Sequence, residues 1–211
     1  FGKTWDFHAT HALKVSLPRN LELIGGSLAF LRPHLKELFF DAEHFFDGFK
    51  ANADYALACL KAARGAGADV LVLCDTNGGT LPTEVGEIIA KVQAALPGAA
   101  IGIHTHNDAE LAVANSLEAV RLGAVHVQGT MNGYGERCGN ANLCSIIPSL
   151  EFKLGVRTNA PENMKKLAQV AHYVAEKANQ RHFPRQPYVG GSVVAHKGGL
   201  HDSAVVENPE T

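Results

Sequence analysis

Asp69-Val70-Leu71-Val72-Leu73-Cys74-Asp75-Thr76-Asn77-Gly78-Gly79-Thr80-Leu81-Pro82 is the stretch on which the fold turns. Its first half is almost wholly apolar, as a strand covered on both faces must be, and strands of that kind belong to parallel sheets. Its second half is a polar, glycine-bearing turn. Pro82 then suits the first turn of a helix. Val85, Ile88, Ile89, Val92 and Leu96 keep helical spacing, and Pro97-Gly98 ends the run. The stretch predicts one complete βα unit.

The same pattern recurs on either side. Apolar runs start near Thr4, Leu38, Asp69, Ala99 and Ala124, about 25–35 residues apart, as successive βα units require. Further helices are predicted from Ala109 to Leu122, stopped by Gly123, and from Cys144 to Leu154. The sum is five parallel βα units, an α/β chain. A long helix is expected from Pro161 to Gln180, with Met164, Leu167, Val170, Ala171 and Val174 on one side. From Arg181 the texture turns rich in glycine and proline and loses its period, which reads as a linker to a small appended subdomain. The expected division is therefore 1–158, barrel-like, and 159–211, linker helix and start of the subdomain.

Five units fit either a doubly wound sheet or the last five units of a TIM (β/α)8 barrel. The barrel is favoured because polar residues stand at the end of every strand: His8, Glu43, Asp75, His104 with His106, and Asn132. In a barrel these ends share one rim and face one pocket. In an open sheet they would spread along an edge.

Composition removes several function classes. Hydrophobic residues make up 46% of the 211 residues and charged residues 19%, with a formal net charge of −2. Lys and Arg are scattered, which argues against nucleic acid and anionic membranes. No apolar stretch has the length of a membrane span. Cys59, Cys74, Cys138 and Cys144 show no CxxC pairing, and reduced thiols in the cytoplasm are the expectation. The opening at Phe1-Gly2-Lys3-Thr4 and the close at Glu207-Asn208-Pro209-Glu210-Thr211 are those expected of the middle of a longer chain.

The chemistry concentrates in two places. Ile101-Gly102-Ile103-His104-Thr105-His106-Asn107-Asp108 ends a buried strand in two histidines one residue apart. Alternation puts both imidazoles on one side, a two-nitrogen offer to a divalent metal. Such a site usually needs a carboxylate. Asp75 is one candidate and Asp108 another, but Asp75 fits a role in the Gly78-Gly79 turn equally well, and Asp108 fits a helix cap. The second place is Gly129-Thr130-Met131-Asn132-Gly133-Tyr134-Gly135-Glu136-Arg137-Cys138-Gly139-Asn140-Ala141-Asn142, a loop with glycines for close backbone approach, charges of both signs and an amide. Trp5, Phe45 and Phe46 are read as packing residues, and His126 is left unassigned.

His-Thr-His-Asn-Asp followed by Asn-Gly-Tyr-Gly-Glu-Arg-Cys-Gly-Asn-Ala resembles the 2-isopropylmalate, homocitrate and citramalate synthase family, metal-dependent barrels that perform Claisen condensations. Phe40-Asp41-Ala42-Glu43-His44-Phe45-Phe46-Asp47-Gly48 and Asp75-Thr76-Asn77-Gly78-Gly79 look most like its (R)-citramalate synthase branch. Ala195-His196-Lys197-Gly198-Gly199-Leu200-His201 resembles the family's stretch after the barrel. The resemblance implies His104, His106 and Asn140 as metal residues, for Mg, Mn, Co or Zn. It implies Thr76 at the 2-oxo acid carboxylate and His8 in the substrate pocket, with Glu136 also read as substrate-binding. Glu43 is implied for acid–base work. His201, lent from the appended subdomain to a partner subunit's pocket, is implied to help deprotonate the acetyl group. The implied reaction joins acetyl-CoA to a 2-oxo acid, pyruvate by branch likeness with 2-oxoglutarate (homocitrate synthase) and 2-oxoisovalerate (2-isopropylmalate synthase) as the alternatives, in a homodimeric cytoplasmic enzyme of branched-chain amino-acid synthesis.

One departure matters. The family's first strand carries Asp-x-Thr-Leu-Arg-Asp-Gly-x-Gln, which supplies the metal carboxylate and an Arg for the enolate, and this chain has neither. The 211 residues alone are therefore expected to be inactive and to bind metal weakly. Three other readings compete. The first, a hydroxyacyl-CoA lyase or aldolase of the same superfamily, lacks its Gly-Gly-Cys-Pro-Tyr-Ala stretch here. The others are a non-catalytic scaffold and an Fe(II) oxygenase, the last disfavoured by the helices.

Overall fold

The structure is a computed structural model and describes residues 1–158 and 161–195. The chain divides into two compact units, residues 1–156 and the residues from 157 onward. His196, Lys197 and His201 lie outside the described residues.

The first unit carries a five-stranded sheet: β1 (Gly2–Lys3), β2 (Phe39–Glu43), β3 (Val70–Asp75), β4 (Ala100–Thr105) and β5 (His126–Gln128). All neighbouring pairs are parallel and the spatial order is the chain order. A doubly wound sheet reverses its order at a switch point. This one never does, so the strands are consecutive staves of a barrel. β1 and β5 are its open edges among the described residues.

Alternation sorts each strand into two faces. Phe40, Ala42, Leu71, Leu73, Ile101 and Ile103 join the core beneath the helices. Val70, Val72 and Cys74 form a separate apolar patch on the other face. Every residue of β3 is buried, which is why its sequence is apolar without a break.

The helices are α1 (Leu17–Leu31), α2 (Phe45–Ala51), α3 (Ala53–Gly65), α4 (Pro82–Ala95), α5 (Ala112–Arg121) and α6 (Leu143–Leu154). Their starts follow local chemistry. Ser16, Asn52 and Asn142 side chains each accept from a first-turn amide, and Glu84 accepts from Leu81 N. Phe45 and Phe46 are fully buried packing residues, as expected.

Three expectations shift. α5 begins at Ala112 rather than Ala109, because Glu110 takes a left-handed φ of 60° and Asn107 Oδ1 receives the Ala112 amide. β1 ends at Lys3, so His8 belongs to a short π-helical turn (His8–Ala12) beyond the strand. The continuous helix expected over 161–180 is two helices, α7 (Pro161–Met164) and α8 (Leu167–Lys177). The break is an i→i+3 turn in which Lys166 N donates to Asn163 O and Lys166 Nζ to Asn163 Oδ1. Within α8, Ala171 and Ala175 are buried while Val170 is exposed.

One packing contact yields a prediction. Gly48 on α2 lies against the backbone where β1 ends: a Cβ there would meet Thr4 O at 2.5 Å and Trp5 Cα at 2.8 Å. Backbone cannot step aside as a side chain can. Gly48→Ala should destabilise the protein by about 1–3 kcal/mol, read as a lower urea midpoint. An unchanged midpoint would show that α2 slides freely.

Candidate metal and active site

The inner face of the sheet supplies the site. Register aligns Cys74 with His104 and His104 with Gln128, and Asp41 with Val72 one stave earlier. Asp41 and Glu43 share a face because they are two residues apart. A cavity of about 280 Å³ is walled by Asp41, Glu43, Cys74, Thr76, His104, His106 and Glu136.

His104 and His106 project together, with ring centroids 5.3 Å apart. The loop after β5 is stitched to the end of β4. Ala141 N donates to Thr105 O at 3.0 Å, Asn107 N donates to Gly139 O at 2.9 Å, and His106 bridges Asn140 in antiparallel fashion. This stitching brings Asn140 beside the histidine pair. Gly139 makes it possible: its φ is +95° and a Cβ would collide with Gly133 O. Asn140 Nδ2 donates to Tyr134 O at 3.1 Å, which leaves Asn140 Oδ1 buried and unpaired. His106 Nδ1 is buried and unpaired as well. Buried polar atoms are nearly always paired, so these two atoms are open to a ligand or an ordered water. Two imidazoles and an amide oxygen fit a divalent ion of the borderline class. The set is incomplete: among the described residues no three His, Cys, Asp or Glu side chains converge as a metal site.

Opposite stands a charged cluster. Lys3 Nζ pairs with Glu43 Oε1 at 2.6 Å, the two being register partners across β1 and β2. Glu43 Oε2 is buried without a partner, so the carboxylate has one tethered oxygen and one free. His8 stacks on Trp5 at 4.9 Å and meets the His44 ring at 4.0 Å. Thr76 Oγ1 accepts from His44 N at 2.8 Å, which leaves the hydroxyl proton for a ligand.

A family model described as HMGL-like matches residues 1–174. The chain belongs to the HMGL-like family. Over all 211 residues it is 57% identical to an (R)-citramalate synthase of Geobacter sulfurreducens, and 56% identical to one of Aquifex aeolicus. In each case it spans 40% of the relative's length. Among solved structures, the hydroxymethylglutaryl-CoA lyase of Pseudomonas aeruginosa superposes with a TM-score of 0.73 at 17% identity, covering 88% of this chain and 64% of the lyase. At that identity the likeness is one of fold.

Within this HMGL-like barrel segment, the structure brings Glu43, Thr76, His104, His106 and Glu136 to one cavity, with Asn140 against His106. His8 stands beside His44. Glu136 sits at the rim, its side chain 85% exposed. Both candidate carboxylates are excluded as ligands. Asp75 points to the helix side and is 1% exposed, its Oδ1 accepting from Thr80 Oγ1 at 2.8 Å and its Oδ2 from Thr80 N at 3.3 Å. It secures the turn, and burial pushes its carboxyl pKa up. Asp108 does not cap α5. Both its oxygens are held by Arg137, at 2.8 and 2.9 Å, and the same guanidinium donates to Thr76 O at 2.6 Å. Arg137 holds the Asp108 carboxyl below the usual range. Asn132 takes a left-handed φ of 63° in a short 3-10 turn rather than standing at a strand end.

Four residues escaped the sequence reading: Lys3, Asp41, His44 and Gln128. Strict alternation was the available signal for Asp41, which shares a face with Glu43. Gln128 likewise alternates with His126, whose ring lies 4.7 Å from Phe39.

The histidines give the fold a pH dependence. Burial lowers the His8 pKa, and neighbouring His44 and Lys3 act in the same direction. Burial also lowers that of His106, followed by His104 and Arg137. The folded state therefore resists protonation, while the unfolded chain takes up protons near the ordinary value of 6.5. Stability rises with pH where the unfolded state holds more protons, so it should fall on acidification through that value. The urea midpoint should be lower at about pH 5.5 than at about pH 7.5, and His8→Gln should flatten the difference. A midpoint flat across this range in the unsubstituted protein would contradict the reading.

Proposed function

We propose that the protein carrying this chain is an acyltransferase that condenses acetyl-CoA with pyruvate to give (R)-citramalate and CoA, in isoleucine-type amino-acid synthesis. The observation that carries the proposal is the convergence of His104, His106 and Glu43 on one cavity, with Asn140 bridged to His106 beside it. The high identity to proteins named (R)-citramalate synthase along the whole chain supports the choice of pyruvate over larger 2-oxo acids.

A divalent ion (Mg, Mn, Co or Zn) held by His104, His106 and Asn140 would supply Lewis-acid polarisation of the keto group. The rest falls to side chains. The acetyl methyl is a very weak acid, so its proton needs a positioned base. Glu43 offers Oε2 for that proton while Lys3 holds Oε1. His201, outside the described residues, is proposed to assist from a partner subunit. The enolate carbon then attacks the keto carbon of pyruvate, and the new alkoxide takes up a proton. Water finally cleaves the thioester, leaving a carboxylate and CoA thiol. Thr76 donates its hydroxyl to the 2-oxo acid carboxylate, and Glu136 and His8 line the approach. A homodimer in the cytoplasm is part of the same proposal. No helix among the described residues is long and apolar enough to cross a membrane, and all four cysteines are free.

The test is product analysis on a protein that contains this chain together with the remaining length of its relatives. Thiol release and a citramalate peak are expected with pyruvate and acetyl-CoA. Faster turnover of 2-oxoisovalerate or 2-oxoglutarate would reassign the substrate. Cleavage of a preformed hydroxyacyl-CoA without condensation would make it a lyase.

A further inference from the structure

One polar connection on the inner face has no place in the chemistry above. Gln128 ends β5 and Asp41 lies on β2, yet Gln128 Nε2 donates to Asp41 Oδ1 at 2.9 Å. The other end of the same amide, Oε1, lies 2.7 Å from His104 Nδ1. We propose that Gln128, oriented by Asp41, is a positioning residue that holds His104 in its Nδ1–H tautomer and so leaves Nε2 free to bind the ion. The proposal rests on the metal-site reading given above.

The direction of the chain follows from what each group can do. A carboxylate only accepts, so the amide must turn its NH2 toward Asp41. The opposite end is then a carbonyl oxygen, which also only accepts. The hydrogen bond to His104 therefore requires a proton on Nδ1. An imidazole protonated at Nδ1 carries its lone pair on Nε2, and a neutral nitrogen is the form that ligates metal. Metal-bound histidines commonly give their second N–H to an oxygen acceptor, which fixes the tautomer and the ring orientation together. Here that acceptor is an amide, and the charge behind it stands one bond further back. His106 differs: its Nδ1 has no partner. Of the two imidazoles, only His104 has its Nδ1 held in this way.

The experiment uses the full-length protein labelled with 15N-histidine. In the metal-free state, long-range 1H–15N spectra, assigned by loss of the His104 signals in His104→Gln, should show His104 as the Nδ1–H tautomer. In Gln128→Leu the ring should shift toward Nε2–H, and Mn2+ affinity read by EPR should fall about 10- to 100-fold. Gln128→Glu should also weaken Mn2+ binding, because it sets two carboxylates against each other. Adding Asp41→Asn to Gln128→Glu exchanges donor and acceptor, and should restore both tautomer and affinity. A residue acting only through packing would show no such rescue. An Nε2–H ring in the unsubstituted protein, unchanged Mn2+ affinity in Gln128→Leu, or no recovery in the double variant overturns the assignment. If the unsubstituted protein takes up no Mn2+ while the tautomers change as stated, the metal reading has failed and the control of His104 by Gln128 stands.

Discussion

His106→Ala in the full-length protein should lower thiol release from acetyl-CoA by on the order of 10³-fold or more and abolish measurable Mn2+ uptake. The backbone of His106 is anchored independently of its ring. It is held on both sides, by donation from His106 N to Asp75 O at 3.2 Å and by the bridge to Asn140. The ring Nδ1 has no partner to lose. Circular dichroism and the urea midpoint should therefore stay close to those of the parent, while the proposed metal site would lose one of its two imidazoles. His104→Ala should match it in activity. Residual turnover within tenfold of the parent, with the fold intact, would remove His106 from the metal site and the condensation mechanism with it.

Glu43→Gln should lower kcat by about 10²- to 10⁴-fold with little change in Mn2+ affinity. The substitution keeps the shape of the side chain and removes its capacity to take a proton at Oε2. It also leaves Lys3 without its partner, on a side chain only 18% exposed. Breaking a largely desolvated pair from one side is destabilising, because one charge is left uncompensated. Stability and catalysis must therefore be separated. Lys3→Met combined with Glu43→Gln removes both charges and should recover the urea midpoint without recovering kcat. Recovery of kcat in the double variant would show that Glu43 acts through charge balance alone, and that the base lies elsewhere.

Much of the barrel segment was legible because its signals are local. The unbroken apolar run of β3 announced a strand covered on both faces, and the spacing of Val85, Ile88, Ile89 and Val92 announced α4. Alternation along β4 put His104 and His106 on one side before any partner was known. Other features depended on atoms far along the chain. Asp75 and Asp108 looked alike as candidate ligands. One was claimed by Thr80 in its own turn, and the other by Arg137 from a loop 29 residues away. The long helix expected over 161–180 failed for a subtler reason. Its apolar spacing continued through Lys165 and Lys166, but spacing alone does not reveal where a backbone tightens to an i→i+3 turn.

The central strands β2 to β4, the shared face of the histidine pair and the family resemblance were determined by sequence alone, because each rests on periodicity or on a short run of residues. The link from Asp41 to Gln128 spans 87 residues, and the pairing of Lys3 with Glu43 spans β1 and β2. These were decided by tertiary structure, because a side chain's partner across a sheet is set by register and stave order, which no local pattern encodes.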